Sequence, residues 1–441
     1  MSFESEIKQI LNNKQTIEPT LFKYTWHLKS FNFDDIINSS GFNNKFYIEH
    51  NEKNLFIGLD TCIKYEPNNR SELSELKNNI YKNIISKGRN HIFSTKIFGI
   101  ISFDIDKEPS YPWENIPRAI FYIPKILIYK SESKYYITFN INLDKNSDLR
   151  AIINEKNNLQ ERLDAIGSIK YKTPILKSEN PYQTKKEYSK IFKNYIQSIK
   201  NKSMIKIILS RLKIFKNKYL FSKSMIIKNL DNNCSKFLFE YNNEKLFLGA
   251  SPEKLISVTN NKFSTEALAG SISREDKEKY LNFLDNKKER NEHSLVIEDI
   301  KNKLKGKTND LQFEEEPIIK SYNHIHHLYT PINGSLNKNY HIIDLLITLY
   351  PTSAILGIPS EVATSKIKEN EHFDRGWYGG CFGWFDVDGD GRFDVSIRAG
   401  LILEKKLYLF AGSGIVKDSN EKDEWEETET KFKQILSFFS K

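Results

Sequence analysis

An α+β fold is what this 441-residue chain predicts, and three observations predict it. The first third is a series of β-rich segments separated by polar turns. An amphipathic helix with its own N-terminal cap then opens the middle. The final stretch, Phe373 to Phe439, returns to turn-punctuated strands and closes on a helix that starts in acid.

In order, "KFYIEH", "NLFIGLD", "KIFGIISFDID", "RAIFYIPKILIYK" and "KYYITFNI" are rich in β-branched and aromatic residues and bounded by Asn, Lys, Pro and Gly. Short helices intervene, one near Ser71 to Ile85. The polar stretch from Asp144 to Lys172 reads as helical around Leu159 to Ile166 and is the one candidate linker. It divides a single structural domain into a β-rich half, 1–180, and a second half, 181–441. Thr184 and Glu187 form a capping box, and Tyr188, Ile191, Phe192, Tyr195, Ile196 and Ile199 trace one apolar face behind it. "MIKIILSR" follows as a buried strand, with Ile205, Ile207 and Leu209 on one side and Lys206, Ile208 and Ser210 on the other. In "GASPEKLISV" the Ser251-Pro252 pair makes a turn, and Glu253 stands at its exit. Gly270, in "STEALAGSISR", offers close backbone approach.

A charged helix runs from about Arg274 to Lys305, with a break near Asn286. Val296, Ile300 and Leu304 form its stripe, which continues back to Glu292, His293 and Glu289. Near the C-terminus, Val395 and Ile397 place Arg398 on the opposite face of a strand with Ser396. "AGSGI" reads as a Gly-rich turn at Gly412 to Gly414, whose N–H groups suit an anion. The last helix then presents Glu424, Glu427 and Lys431 on the stripe that ends in Ile435 and Phe438.

Apolar content of 39 % supports a substantial core, and the formal charge of +9 is scattered, not clustered. Scattered lysine without an Arg-rich stripe excludes a nucleic-acid footprint but favours an anionic small molecule. Three distant cysteines, Cys62, Cys234 and Cys381, make neither a disulfide framework nor a zinc site. No apolar run reaches bilayer length, so a soluble, cytoplasmic protein with no membrane partner is expected.

Lys206 within an apolar strand either snorkels to water or is desolvated so that it acts as a base. Glu253 is either a solvated turn residue or, beside its apolar segment, a carboxyl with a raised pKa. Two helices that each deliver two glutamates suit a hard divalent cation that keeps several waters, as Mg²⁺ does. "DVDGDG" from Asp386 opens like a calcium loop, but Ile397 holds the twelfth position, so a hairpin turn is expected. In "HIHH", His324 to His327, no third metal ligand follows, and a histidine meeting an anion or hydroxyl is expected instead.

Taken in order, "KIILSR", "FLGASPEKL", "TEALAGSISR", "KKERNEHSLVIEDI", "HHLYTPINGSL", "LYPTSAILGIP", "DRGWYGGCFGWFD", "FDVSIRAGLI" and "AGSGIVKDSNEKDEWEETETKFK" resemble the chorismate-utilising enzymes, and among them the isochorismate synthases. The match runs from about Tyr188 to the C-terminus, with fainter likeness in "FYIEH", "FGIISFD" and Pro112 to Pro124. It implies one large α+β domain of packed antiparallel β-sheets with helices outside, residues 181–441 being the chorismate-binding catalytic half. By position, Lys206 would activate water for attack at ring carbon two, and Glu253 would protonate the hydroxyl leaving carbon four. Glu292 and Glu427 would ligate Mg²⁺ directly, with Glu289 and Glu424 acting mainly through water. Arg398 and Tyr378 would bind the enolpyruvyl carboxylate. The backbone of Gly412, Ser413 and Gly414 would lie along the substrate carboxylates with Lys431, while Ala269, Gly270, His327 and Thr352 line the site.

The activity so implied is Mg²⁺-dependent isomerisation of chorismate to isochorismate, feeding menaquinone or phylloquinone biosynthesis. A salicylate synthase, or an isochorismate synthase of a siderophore pathway, is the alternative. Ammonia-adding relatives typically carry Gln where Lys206 stands, so no glutamine amidotransferase subunit is expected. Aminodeoxychorismate synthases carry Lys at the place of Ala269. Tyr350, where a His is usual, and Cys381-Phe382 depart from the family pattern.

Overall fold

The computed structural model describes residues 3–12, 20–28, 31–50, 54–83, 85–86, 94–131, 134–144, 146–167, 171–179 and 183–440. Among them, 21 strands form one connected hydrogen-bonded network. Its pairings are antiparallel apart from a short parallel contact of Thr20 and Leu21 with Ile85 and Ser86. The two halves of the sequence are laced together by it. Lys236–Glu240 pairs with Lys45–Glu49, and Cys381–Asp386 pairs with Lys96–Ile101.

Strand alternation sorts side chains by size. Phe46, Phe98, Phe237, Phe239, Phe247, Phe382, Tyr408 and Phe410 point into an aromatic interior closed by Trp113 and Trp377. Their neighbours Tyr47, Leu238, Leu246, Leu248, Leu407 and Leu409 point the other way, onto the helices that carry Ile226, Phe432, Ile435 and Phe438. A third cluster seats helices Lys185–Lys200, Lys287–Leu304 and Ile342–Leu349 against Ile207, Leu209 and Ile256. Sheets packed face to face with helices outside are thus the expected α+β architecture.

The helix at Lys185–Lys200 carries the Thr184/Glu187 capping box, and the charged helix breaks at Asn286, whose side chain caps Lys287–Leu304. Three readings change and one helix is added. The candidate linker holds a full helix, Leu149–Asp164, which starts earlier than expected because Asp148 caps it and Ile152 and Leu159 are buried. Phe3–Leu11 is a helix that its short length had hidden. Gly412 to Gly414 is no turn: it lies inside strand Lys406–Ile415, paired with Ser210, Leu209 and Ile208. Arg398 lies between strands Gly391–Val395 and Ala399–Leu403, not within one, with φ of 52°. Among the described residues, no helix is long and apolar enough to cross a membrane.

Candidate active site

A cavity opens where strands Lys206–Asn217, Lys262–Ser273 and Lys406–Ile415 meet the C-terminal helix Glu421–Phe439. Glu253, Ala269, Gly270, Glu292, His327, Tyr378, Arg398, Gly412, Gly414, Glu427 and Lys431 line it, so most of the residues named from sequence converge. An outer cavity shares Ser271 and Glu427 with it and holds Glu289 and Glu424.

Lys206 stands behind the wall. It is fully buried, and its Nζ lies 3.0 Å from Glu292 Oε1, so it is neither a snorkelling surface lysine nor a lone amine. Gly414, opposite Ile208, makes room for the pair. A Cβ there would overlap Glu292 Oε1 and come within 3.2 Å of Lys206 Cε. The glycine thus serves an ion pair, not a turn. Burial opposes the charge on Glu292, yet Lys206 and Lys288 outweigh it and hold the carboxyl below its ordinary value.

Glu253 links Ser251, the last residue of one strand, to Lys254, the first of the next. Only 5 % exposed, it faces the cavity. Burial, reinforced by Glu266, pushes its carboxyl up to about 8 against the pull of Lys206, Arg398 and Lys431. It therefore carries a proton at neutral pH, as a general acid requires.

Arg398 is 4 % exposed and has no carboxylate partner among the described residues. Its Nη2 donates to His327 Nε2 at 3.1 Å, and Nη1 reaches Gln434 Oε1 at 3.3 Å. Burial, then Arg398, keeps His327 far below its ordinary pKa. An accepting Nε2 leaves the proton on Nδ1, 2.9 Å from Ser271 Oγ and 3.2 Å from Gly270 O. The expected histidine–hydroxyl contact is present. A buried guanidinium without a counter-charge, on a cavity wall, is a receptor for an anion.

The acidic floor is built by two helix starts. A bulge at Gly270, with φ of 78°, lets Ser271 N donate to Glu289 Oε2 at 2.8 Å. Arg211 fastens the other helix: its guanidinium carbon sits 3.2 Å from the Trp425 ring centre, Nη1 donates to Thr428 Oγ1, and Nη2 pairs with Glu429. Among the described residues, no three carboxylate, imidazole or thiol groups converge on one point. Lysines hold the carboxylates instead. Lys288 Nζ is 3.0 Å from both Glu289 Oε1 and Glu424 Oε1, and Lys431 Nζ is 2.6 Å from Glu427 Oε1. Burial pushes Glu424 up to about 7 against the pull of Lys288, and its Oε2 has no hydrogen-bond partner. Hard oxygen donors in negative excess, one of them without donors, fit a divalent cation that keeps its waters.

Besides Lys206, two more expected residues stand off the cavity. Ser413, between two lining glycines, faces the other side of its strand beside Tyr188. Thr352 is buried but does not line it, and Ala354 and Ile355 do. These two ride on a loop that Arg375 ties down, donating to Ile355 O and Ile208 O while paired with Glu371. Lys288 was the functional side chain that sequence reasoning missed, although it precedes Glu292 by four residues. Tyr350 donates to Ser102 O, and the Phe382 ring packs tilted against Phe237 with centres 4.1 Å apart; neither departure lines the cavity. The calcium-like turn is a hairpin in which Asp386 Oδ1 accepts from Asp388 N and Asp390 N.

A family model described as "Chorismate binding enzyme" matches residues 5–440. The chain is 31 % identical over 355 residues to the isochorismate synthase MenF of Bacillus subtilis, covering 77 % of this chain and 74 % of that one. It is 40 % identical over 187 residues to the salicylate biosynthesis isochorismate synthase of Pseudomonas aeruginosa, covering 41 % and 39 %. The solved structure of the menaquinone-specific isochorismate synthase MenF of Escherichia coli matches with a TM-score of 0.78, 21 % identity and all of both chains covered. With this fold, this cavity and these relatives, the chain belongs to the chorismate-binding enzyme family.

Proposed function

We propose that the protein is a Mg²⁺-dependent isochorismate synthase, converting chorismate to isochorismate. The observation that carries this is one cavity lined by Glu253, by Glu292 with Lys206 paired behind it, and by Arg398, which has no carboxylate partner among the described residues. Arg398 and Lys431 draw in the dianionic substrate, with Tyr378 stacked on Phe410 closing one wall. In its neutral form, with the ammonium proton already given up, Lys206 takes a proton from a water attacking ring carbon two, while Glu253 gives its proton to the hydroxyl leaving carbon four. One water enters and one leaves. General acid–base catalysis of this kind contributes about 10²–10⁴-fold. Mg²⁺, when bound, supplies positive charge for the ring carboxylate. Glu292 and Glu427 would hold it directly, and Glu289 and Glu424 through water.

In this reading the product feeds menaquinone or phylloquinone biosynthesis, and likeness to the menaquinone-specific Escherichia coli enzyme supports the first. Three unpaired cysteines support a cytoplasmic setting. Incubation with chorismate, with and without Mg²⁺, followed by chromatography tests the reading. Isochorismate without pyruvate, formed only with the metal, is the expected result. Equimolar pyruvate and salicylate would give the salicylate synthase reading, and unconsumed chorismate would reject both.

A further inference from the structure

Lys288 takes no part in the proton transfers above, yet its ammonium stands among the acidic residues of both helices. Its Nζ is 3.0 Å from Glu289 Oε1, 3.0 Å from Glu424 Oε1 and 3.8 Å from Glu292 Oε2, and Glu427 adds to the same field. The other two lysines are tied elsewhere. Lys206 is fully buried behind Glu292, and Lys431 donates to Gly412 O at 2.7 Å while pairing with Glu427. Lys288 differs from Lys206 in having a way out: its side chain is 20 % exposed and lines the outer cavity.

We propose that Lys288 is a tethered competitor of the divalent cation. Its ammonium keeps Glu289, Glu292 and Glu424 together, and a cation arriving among those carboxylates expels it into the outer cavity. The reason is elementary: a double and a single positive charge within ion-pair distance of the same carboxylates repel strongly where water is scarce. The carboxylates are thereby spared mutual repulsion while no metal is bound, and metal affinity is set lower than four glutamates alone would give. This rests on the Mg²⁺ reading of the preceding section.

The test uses the full-length protein and two readouts besides turnover. In the first, wild type is acylated briefly with a small N-hydroxysuccinimide ester, with and without saturating Mg²⁺, and each lysine's labelling is measured by mass spectrometry. Labelling of Lys288 should rise at least about threefold with Mg²⁺, as an ion-paired amine becomes a solvated one, while fully buried Lys206 stays unlabelled. In the second, Mg²⁺ is titrated calorimetrically into wild type, Lys288→Met and Lys288→Gln. Both variants should bind about tenfold more tightly, or ~1.4 kcal/mol, because no competitor has to leave.

Unchanged or reduced labelling of Lys288, or variants that bind Mg²⁺ no more tightly than wild type, would overturn the proposal. If neither variant folds, the wild-type labelling decides alone. A wild type that takes up no Mg²⁺ beside a variant that does upholds the competitor. Absence of Mg²⁺ binding in wild type and variants alike overturns both it and the metal reading.

Discussion

Lys206 Nζ lies 3.0 Å from Glu292 Oε1, and the pair packs against the bare Cα of Gly414. The proposed base and a proposed metal ligand are therefore one electrostatic unit. Lys206→Ala should lose about 10²–10⁴-fold in turnover. It should also lose up to about 3–5 kcal/mol of stability, because buried Glu292 loses its near partner and keeps only Lys288 at 3.8 Å. Lys206→Met with Glu292→Gln should recover most of the stability and none of the activity. Steady-state rates and urea melts of the two variants beside wild type check this.

Gly414→Ala tests the packing behind that unit. The added methyl overlaps Glu292 Oε1 and reaches 2.9 Å from its carboxyl carbon. The pair must shift, at a cost of about 1–3 kcal/mol, and turnover should fall by at least ~10²-fold, as for a misplaced catalytic group. Gly41→Ala, where nothing lies within 4 Å, is the control and should change neither.

The pH dependence follows from Glu253, raised by burial and then by Glu266 to about 8. As the acid, it must be protonated, so kcat/KM should hold below about pH 8 and fall above it. Between the ordinary carboxyl value and about 8 the folded chain keeps a proton that the unfolded chain releases. Stability from this group is thus fully present below the ordinary value and is lost as pH rises, by up to about 1.4 kcal/mol per unit. Glu253→Gln should be inactive and should flatten that part of a melting-temperature profile taken from pH 5 to 9.

Much of this site is legible in the residue order, and its omissions have physical causes. Thr184 and Glu187 announce a helix because a cap is a local contact. Lys206 is conspicuous because charge is rare in an apolar strand. Glycine at 412 and 414 was misleading, since composition does not distinguish a turn from a strand that must leave room for a distant ion pair. Arg398 followed an apolar alternation that its positive φ interrupts, and no neighbour in sequence signals that φ. Ala354 and Ile355 reach the cavity through Arg375 and Glu371, whose contact with Ile208 spans 167 positions and is visible only in the fold.

Arg398 should bind and not react. Replacing it by Met removes a charged donor to a substrate carboxylate, worth about 1.5–3 kcal/mol, so KM for chorismate should rise roughly 10–100-fold. Because the guanidinium is buried without a counter-ion, the variant should melt no lower than wild type. A parallel fall in melting temperature would make Arg398 a structural residue instead.

The central claim is that water enters at carbon two on the Lys206 side while Glu253 discharges the hydroxyl from carbon four. The most direct measurement is mass spectrometry of the product made from unlabelled chorismate and Mg²⁺ in ¹⁸O-enriched water, with the label located by fragmentation. Isochorismate with one ¹⁸O, at the carbon-two hydroxyl, is the expected result. Isochorismate without the label, or with it on a carboxylate, would contradict the account.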